Sequence, residues 1–157
     1  MLRSPSSRSW LGTAVLMAAC SDSSGLTTVG SDGTRIPLRV VSELRLGEST
    51  ETPASIDAAS IRGDTLYLQL SYAGGCGGPH EFGLAASRTL VVSSPPQVTM
   101  LPRHDGHGDS CRAGFGHDVV ADLHLLQGIA DEHRTLRLRL HEPGAITPIE
   151  TPLLYSF

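Results

Sequence analysis

The chain has 157 residues, with 12 Arg and no Lys against 16 Asp and Glu, and a formal charge of −4 when the histidines are neutral. No run of basic residues offers a phosphate-binding patch, so nucleic acid is not an expected partner. The length suits one domain with its own core and leaves little room for a second.

Arg3 and Arg8 precede the short apolar run from Leu11 to Ala19, and no acid occurs among the first nineteen residues. A positive start, a brief apolar stretch and small residues at its end make a secretory signal. A spanning helix would need roughly twenty apolar residues. The ending Ala18-Ala19-Cys20 resembles the lipobox of bacterial lipoproteins. That resemblance implies removal of residues 1–19, acylation of Cys20 with palmitate-type chains, and contact with the membrane through lipid. Ser21, rather than Asp, after the cysteine resembles the pattern of lipoproteins sent to the outer membrane, facing the periplasm. An ordinary cleaved signal or a short N-terminal membrane helix are the alternatives. Residues 20–33 are small, polar and glycine-rich and read as a flexible tether. A domain follows from 34 to 157. Without Arg3 and Arg8 the exported chain keeps ten Arg against sixteen acids, a charge of −6.

Period-2 patterns fill the domain. Ile36, Leu38, Val40, Ser42, Leu44 and Leu46 alternate with Arg39, Glu43 and Arg45. Leu66, Leu68, Leu70 and Tyr72 alternate with Tyr67, Gln69 and Ser71. Val119, Ala121, Leu123 and Leu125 oppose Asp122 and His124, and Leu136, Leu138 and Leu140 oppose Arg137, Arg139 and His141. Leu153, Tyr155 and Phe157 close the chain in the same way. Shorter strands are expected at 81–85, 89–93 and 98–101. Breakers such as Arg62-Gly63-Asp64, Ser94-Pro95-Pro96 and Glu142-Pro143-Gly144 separate the runs. About seven short strands at this spacing predict an all-β domain, an antiparallel β-sandwich that is immunoglobulin-like or related. A short helical turn is compatible with residues 116–127. With few aromatic residues, Leu and Val must fill the core.

With Cys20 acylated, Cys76 and Cys111 remain as an even pair in an oxidising compartment, which predicts a disulfide. It would close a loop of about 35 residues and contribute about 3–4 kcal/mol. Two free thiols serving a metal are the competing reading. The bond would join a glycine-rich segment, Tyr72-Ala73-Gly74-Gly75-Cys76-Gly77-Gly78-Pro79-His80-Glu81-Phe82, to the histidine-rich segment His104-Asp105-Gly106-His107-Gly108-Asp109-Ser110-Cys111. Disulfide Cα atoms lie within about 7 Å, so the loops must meet. Two outcomes follow. His80, His104, His107 and Asp109 would hold zinc or copper, or they would form a hydrogen-bonded corner with Asp105 or Asp109 capping backbone N–H groups.

Sharper motifs fail on spacing. A calcium loop starting at Asp105 would have His107 at its third position, Ser110 at the turn glycine and Gly116 at the twelfth. Cys76, His80, His104 and Cys111 lack zinc-finger spacing. Ser110 and His80 have no nucleophile-elbow context. The remaining histidines, His117, His124, His133 and His141, are expected at the surface. The segments Gly-Gly-Cys…His80-Glu81-Phe82-Gly83-Leu84 and His104-Asp105…Gly108-Asp109-Ser110-Cys111, with the closing strands, resemble small uncharacterised bacterial lipoproteins. That resemblance implies the disulfide and an extracytoplasmic location, and brings no activity with it.

The sequence therefore predicts a lipid-anchored, non-enzymatic envelope module that binds a protein, peptide or glycan through strand edges, by strand addition, or through loops. A zinc- or copper-binding lipoprotein and an inhibitor of a secreted enzyme are the alternatives.

Overall fold

The computed structural model describes residues 33–45, 52–149 and 153–157. The signal segment, Cys20, nearly all of the tether and Leu46 lie outside the described residues. The described residues form nine strands and one short helix: β1 (Thr34–Arg35), β2 (Leu38–Val41), β3 (Ala54–Arg62), β4 (Thr65–Ala73), β5 (Glu81–Ser87), β6 (Gln97–Asp105), β7 (Gly114–Asp122), α1 (His124–Gln127), β8 (Thr135–Leu140) and β9 (Leu153–Ser156). One sheet has the order β1-β7-β4-β3 and the other β2-β5-β6-β8-β9. Their inner faces pack together as a sandwich.

The sheets are mixed rather than wholly antiparallel. β1 with β7, β2 with β5 and β6 with β8 are parallel pairs. Parallel neighbours need a long connection, and the second sheet provides it. Between β6 and β8 the chain crosses to the first sheet as β7, turns through α1, and returns. β2 reaches β5 by the same kind of excursion, through β3 and β4.

Inward rows follow the expected alternation. Leu66, Leu68 and Leu70 on β4 face Leu136, Leu138 and Leu140 on β8, with Val98 and Met100 on β6, all nearly inaccessible. β3 is a strand that the alternation hides. A bulge between Ile56 and Ala58 moves the inward parity from even to odd, so Ala54 and Ile56 point inward first and Ala59 and Ile61 afterwards. Three expectations shift. Residues 89–93 form a loop with one bridge, Val91 to Gln97, and Val92 is fully exposed. The strand from Val119 ends at Asp122 because α1 begins there, so Leu126 is buried and Leu125 is exposed. The strand from Ile36 stops at Val41.

Every sheet edge is short or guarded. β1, β2 and β9 have two, four and four residues. The long edge strand β3 is bulged, and its Ile56 N–H donates to Glu142 Oε1 at 2.9 Å. Such edges resist pairing with another chain. Among the described residues no helix is long and apolar enough to cross a membrane.

Candidate functional site

β4 runs into the glycine-rich loop at the same end of the sandwich where β6 runs into the histidine-rich loop. β4 and β6 belong to different sheets, so the two loops must be drawn together across the mouth of the core. The Cys76–Cys111 disulfide does this, with Cα atoms 5.8 Å apart. Gly74 and Gly75 make the close approach feasible. Both have positive φ, and a Cβ on Gly74 would strike the His80 ring while one on Gly75 would strike Phe115.

Asp109 locks the junction. Its Oδ2 accepts the N–H groups of Cys76 at 3.0 Å and Gly77 at 3.1 Å, and its Oδ1 accepts that of Cys111 at 2.9 Å. The side chain is only 5% exposed. These donors, led by the Cys111 N–H, hold its carboxyl far below the usual carboxylate range. The loops are thus tied both covalently and through one buried carboxylate.

Beneath Asp109 lies a relay of two imidazoles. His80 Nε2 is 3.3 Å from Asp109 Oδ2, His80 Nδ1 is 2.7 Å from His104 Nε2, and His104 Nδ1 is 3.2 Å from the Thr52 carbonyl. Three gaps need three protons, and two neutral rings supply two. In the neutral pair, His104 Nδ1–H donates to Thr52 and His80 Nδ1–H donates to His104. His80 Nε2 then accepts the Gly75 N–H at 3.2 Å. One added proton on His80 Nε2 would donate to Asp109 instead. Burial first, then the charge of His80, pushes His104 below its ordinary pKa.

Aromatic rings surround the relay. Phe82 stacks on His104 with centroids 4.7 Å apart, Tyr72 lies 4.5 Å from His104, and His117 stacks on Phe82 at 4.9 Å. Phe115 covers Tyr72 from outside. Thr52 ties in the start of β3, accepting the Gly106 N–H through Oγ1 at 2.9 Å.

Of the four residues expected to bind zinc or copper, His80, His104 and Asp109 come together, but in a line. His107 stands apart, half-exposed and 3.6 Å from Glu81 Oε1. Among the described residues no three His, Cys, Asp or Glu side chains gather as a metal-ligand set. Asp105 caps only locally, accepting the His107 N–H at 2.8 Å. Two histidines expected at the surface are elsewhere. His117 is in phase with Val119 and Ala121 on β7 and so points inward, and His141 is 2% exposed where β8 ends in a bridge to Pro148. Tyr72 and Phe82, the two ends of the glycine-rich segment, also pack against His104. Thr52 and Phe115 were not anticipated from the sequence, and Thr52 carried no signal.

No protein family and no curated protein matches this sequence. Among solved structures, a NigD-like immunity protein from Bacteroides caccae is similar over 68% of this chain and 52% of its own, with 16% identity and a TM-score of 0.51. A protein of unknown function from Bacteroides vulgatus has 10% identity and a TM-score of 0.48, over 79% of this chain and 56% of its own. A toxin-related protein from Parabacteroides distasonis has 14% identity and a TM-score of 0.42, over 78% and 59%. The chain spans only about half to three-fifths of the length of these structures. At such identity the first match speaks for the two-sheet fold alone.

Proposed function

We propose that the chain is an extracytoplasmic, lipid-anchored binding module without catalytic activity, which engages a protein, peptide or glycan through preformed loops and faces. One observation carries this reading. The polar groups with the most chemistry, His80, His104 and Asp109, are buried and bonded to one another and to backbone, so they stiffen a surface instead of offering a reactive atom to a cleft. A stiffened surface loses less entropy on binding. The guarded edges argue against strand addition and in favour of loops and faces. Acylation at Cys20 and the periplasmic side of an outer membrane remain part of the proposal, supported by the Ala18-Ala19-Cys20 pattern and by a disulfide suited to an oxidising compartment.

Crosslinking in intact envelopes tests it. Photoreactive residues placed in turn at Gly77, Ser110 and Val92 should yield one discrete adduct from at least one position, and Cys20→Ala should move the protein to the soluble fraction. Absence of any adduct would overturn the binding reading. Native mass spectrometry after zinc or copper exposure separates the metal alternative: one tightly held ion lost in His80→Gln would favour it. The inhibitor alternative shares the stiffened loop and is reached through the identity of the adduct.

A further inference from the structure

The outer face of the five-stranded sheet carries a feature that the linear charge balance conceals. β2 contributes Arg39, β6 contributes Arg103, and β8 contributes Arg137 and Arg139, all out of phase with the buried rows on those strands. The register sets them around an aliphatic strip. Ala85 on β5 pairs with Arg39 on one side and Leu101 on the other, and Arg137 pairs with the exposed Leu154 on β9. Gly83, beside Arg103, keeps the floor low, and a concavity of about 430 Å³ lies over Gly83 and Ala85 between Arg39 and Arg103. Four of the chain's twelve arginines thus share one face in a molecule whose net charge is −4. The acids Glu81 and Asp105 occupy only its end near the disulfide, where His107 lies between them. The Nε–H of Arg137 is buried and has no acceptor among the described residues.

We propose that this face docks an acidic protein surface, which gives the binding module a partner of defined chemistry and rests on that reading. Charge complementarity names the partner. Guanidinium forks pair bidentately with carboxylates, and Arg137 and Arg139 stand two residues apart on one strand, about 6.8 Å, the spacing of same-face residues on an extended acidic segment. The interleaved Val41, Leu101 and Leu154 favour a protein over a bare polyanion, since they offer apolar contacts among the arginines that a polyanion cannot use.

The test is a titration of the isotopically labelled full chain, followed by NMR, with an alternating Glu-Val peptide, an alternating Lys-Val peptide, dextran sulfate and phosphatidylglycerol vesicles. The Glu-Val peptide should shift the amides of Ala85, Leu101, Arg137 and Arg139 and leave Gln69 on the opposite sheet unmoved. The paired substitution Arg137→Gln and Arg139→Gln should weaken it by at least about tenfold with Tm unchanged. Shifts spread over both sheets, no response, or equal binding of dextran sulfate or vesicles would overturn the proposal. An envelope adduct from Gly77 or Ser110, together with a silent arginine face, would sink this inference and leave the binding reading standing.

Discussion

The two ends of the sandwich solve one problem with different chemistry. Each must fasten loop segments to the core through a buried ring and a carboxylate. At the end away from the disulfide, Tyr155 Oη donates to Asp64 Oδ1 at 2.7 Å and accepts from Gln127 Nε2 at 3.0 Å, joining β9, the β3–β4 turn and α1. Burial pushes the Tyr155 hydroxyl up to about 12, so the phenol keeps its proton over the physiological range, while exposed His124, 2.7 Å from Asp122 Oδ1 and 3.4 Å from Asp64 Oδ2, is raised above its ordinary value by those carboxylates. At the disulfide end, imidazoles replace the phenol, and burial, then the charge of His80, hold His104 below its ordinary value. Mild acid therefore weakens the buried pair at the disulfide end and strengthens the exposed His124 pairing at the other.

Removing each clasp should separate them. Replacing Cys76 and Cys111 together with Ser should cost about 3–4 kcal/mol in denaturant unfolding, the largest effect, because a long loop is freed. Tyr155→Phe should cost about 1–2 kcal/mol at pH 7, since the loss of the hydroxyl leaves Gln127 and Asp64 without their shared partner. Asp109→Ala should be seen in local rates. The amides of Cys76, Gly77 and Cys111 lose their acceptor and exchange faster, and the disulfide is reduced more readily by dithiothreitol. An unchanged reduction rate would mean that Asp109 does not lock the loops.

The smallest effect is the pH response, in which the histidines act with opposite signs. His124, raised above 6.5 by Asp122 and then Asp64, adds stability in mild acid that is lost as pH rises through its folded value. His104 is held below 6.5 in the fold, by burial and then by His80, so in mild acid the unfolded chain binds a proton that the folded chain refuses. Its contribution is complete above pH 6.5 and is lost as pH falls toward its lowered folded value. His141, also lowered by burial, acts in the same direction. Asp109, lowered from 3.8, adds a further loss only at lower pH, as the carboxylate is protonated. His104→Phe should flatten the slope between pH 6.5 and pH 5 even though it lowers stability overall.

Much of the fold was legible because burial is nondirectional and leaves a period. The leucine rows of β4 and β8 could be read directly, and the disulfide followed from an even cysteine pair. β3 was hidden because its bulge reverses parity at Asp57, so no single alternation spans it. The parallel pairs were hidden because crossing between sheets is decided by tertiary packing. At the site, the loops and the corner of His80, His104 and Asp109 could be named from spacing, but hydrogen-bond direction could not. Whether the rings form a ligand shell or a line depends on where Thr52, from a distant strand, places its carbonyl. The arginine face was illegible for a related reason: Arg39, Arg103 and Arg137 are far apart in the chain and become neighbours only through sheet order.

The most direct measurement is hydrogen exchange on the full chain at pH 7 and pH 5, corrected for the intrinsic rates. The opening free energy of the Gly75, Cys76, Gly77 and Cys111 amides should fall from pH 7 to pH 5. That of Leu123, whose N–H donates to the Asp64 carbonyl at 2.8 Å beside the raised His124, should hold or rise. A fall at both ends, or at neither, would contradict the distinction between an end that mild acid weakens and one that it does not.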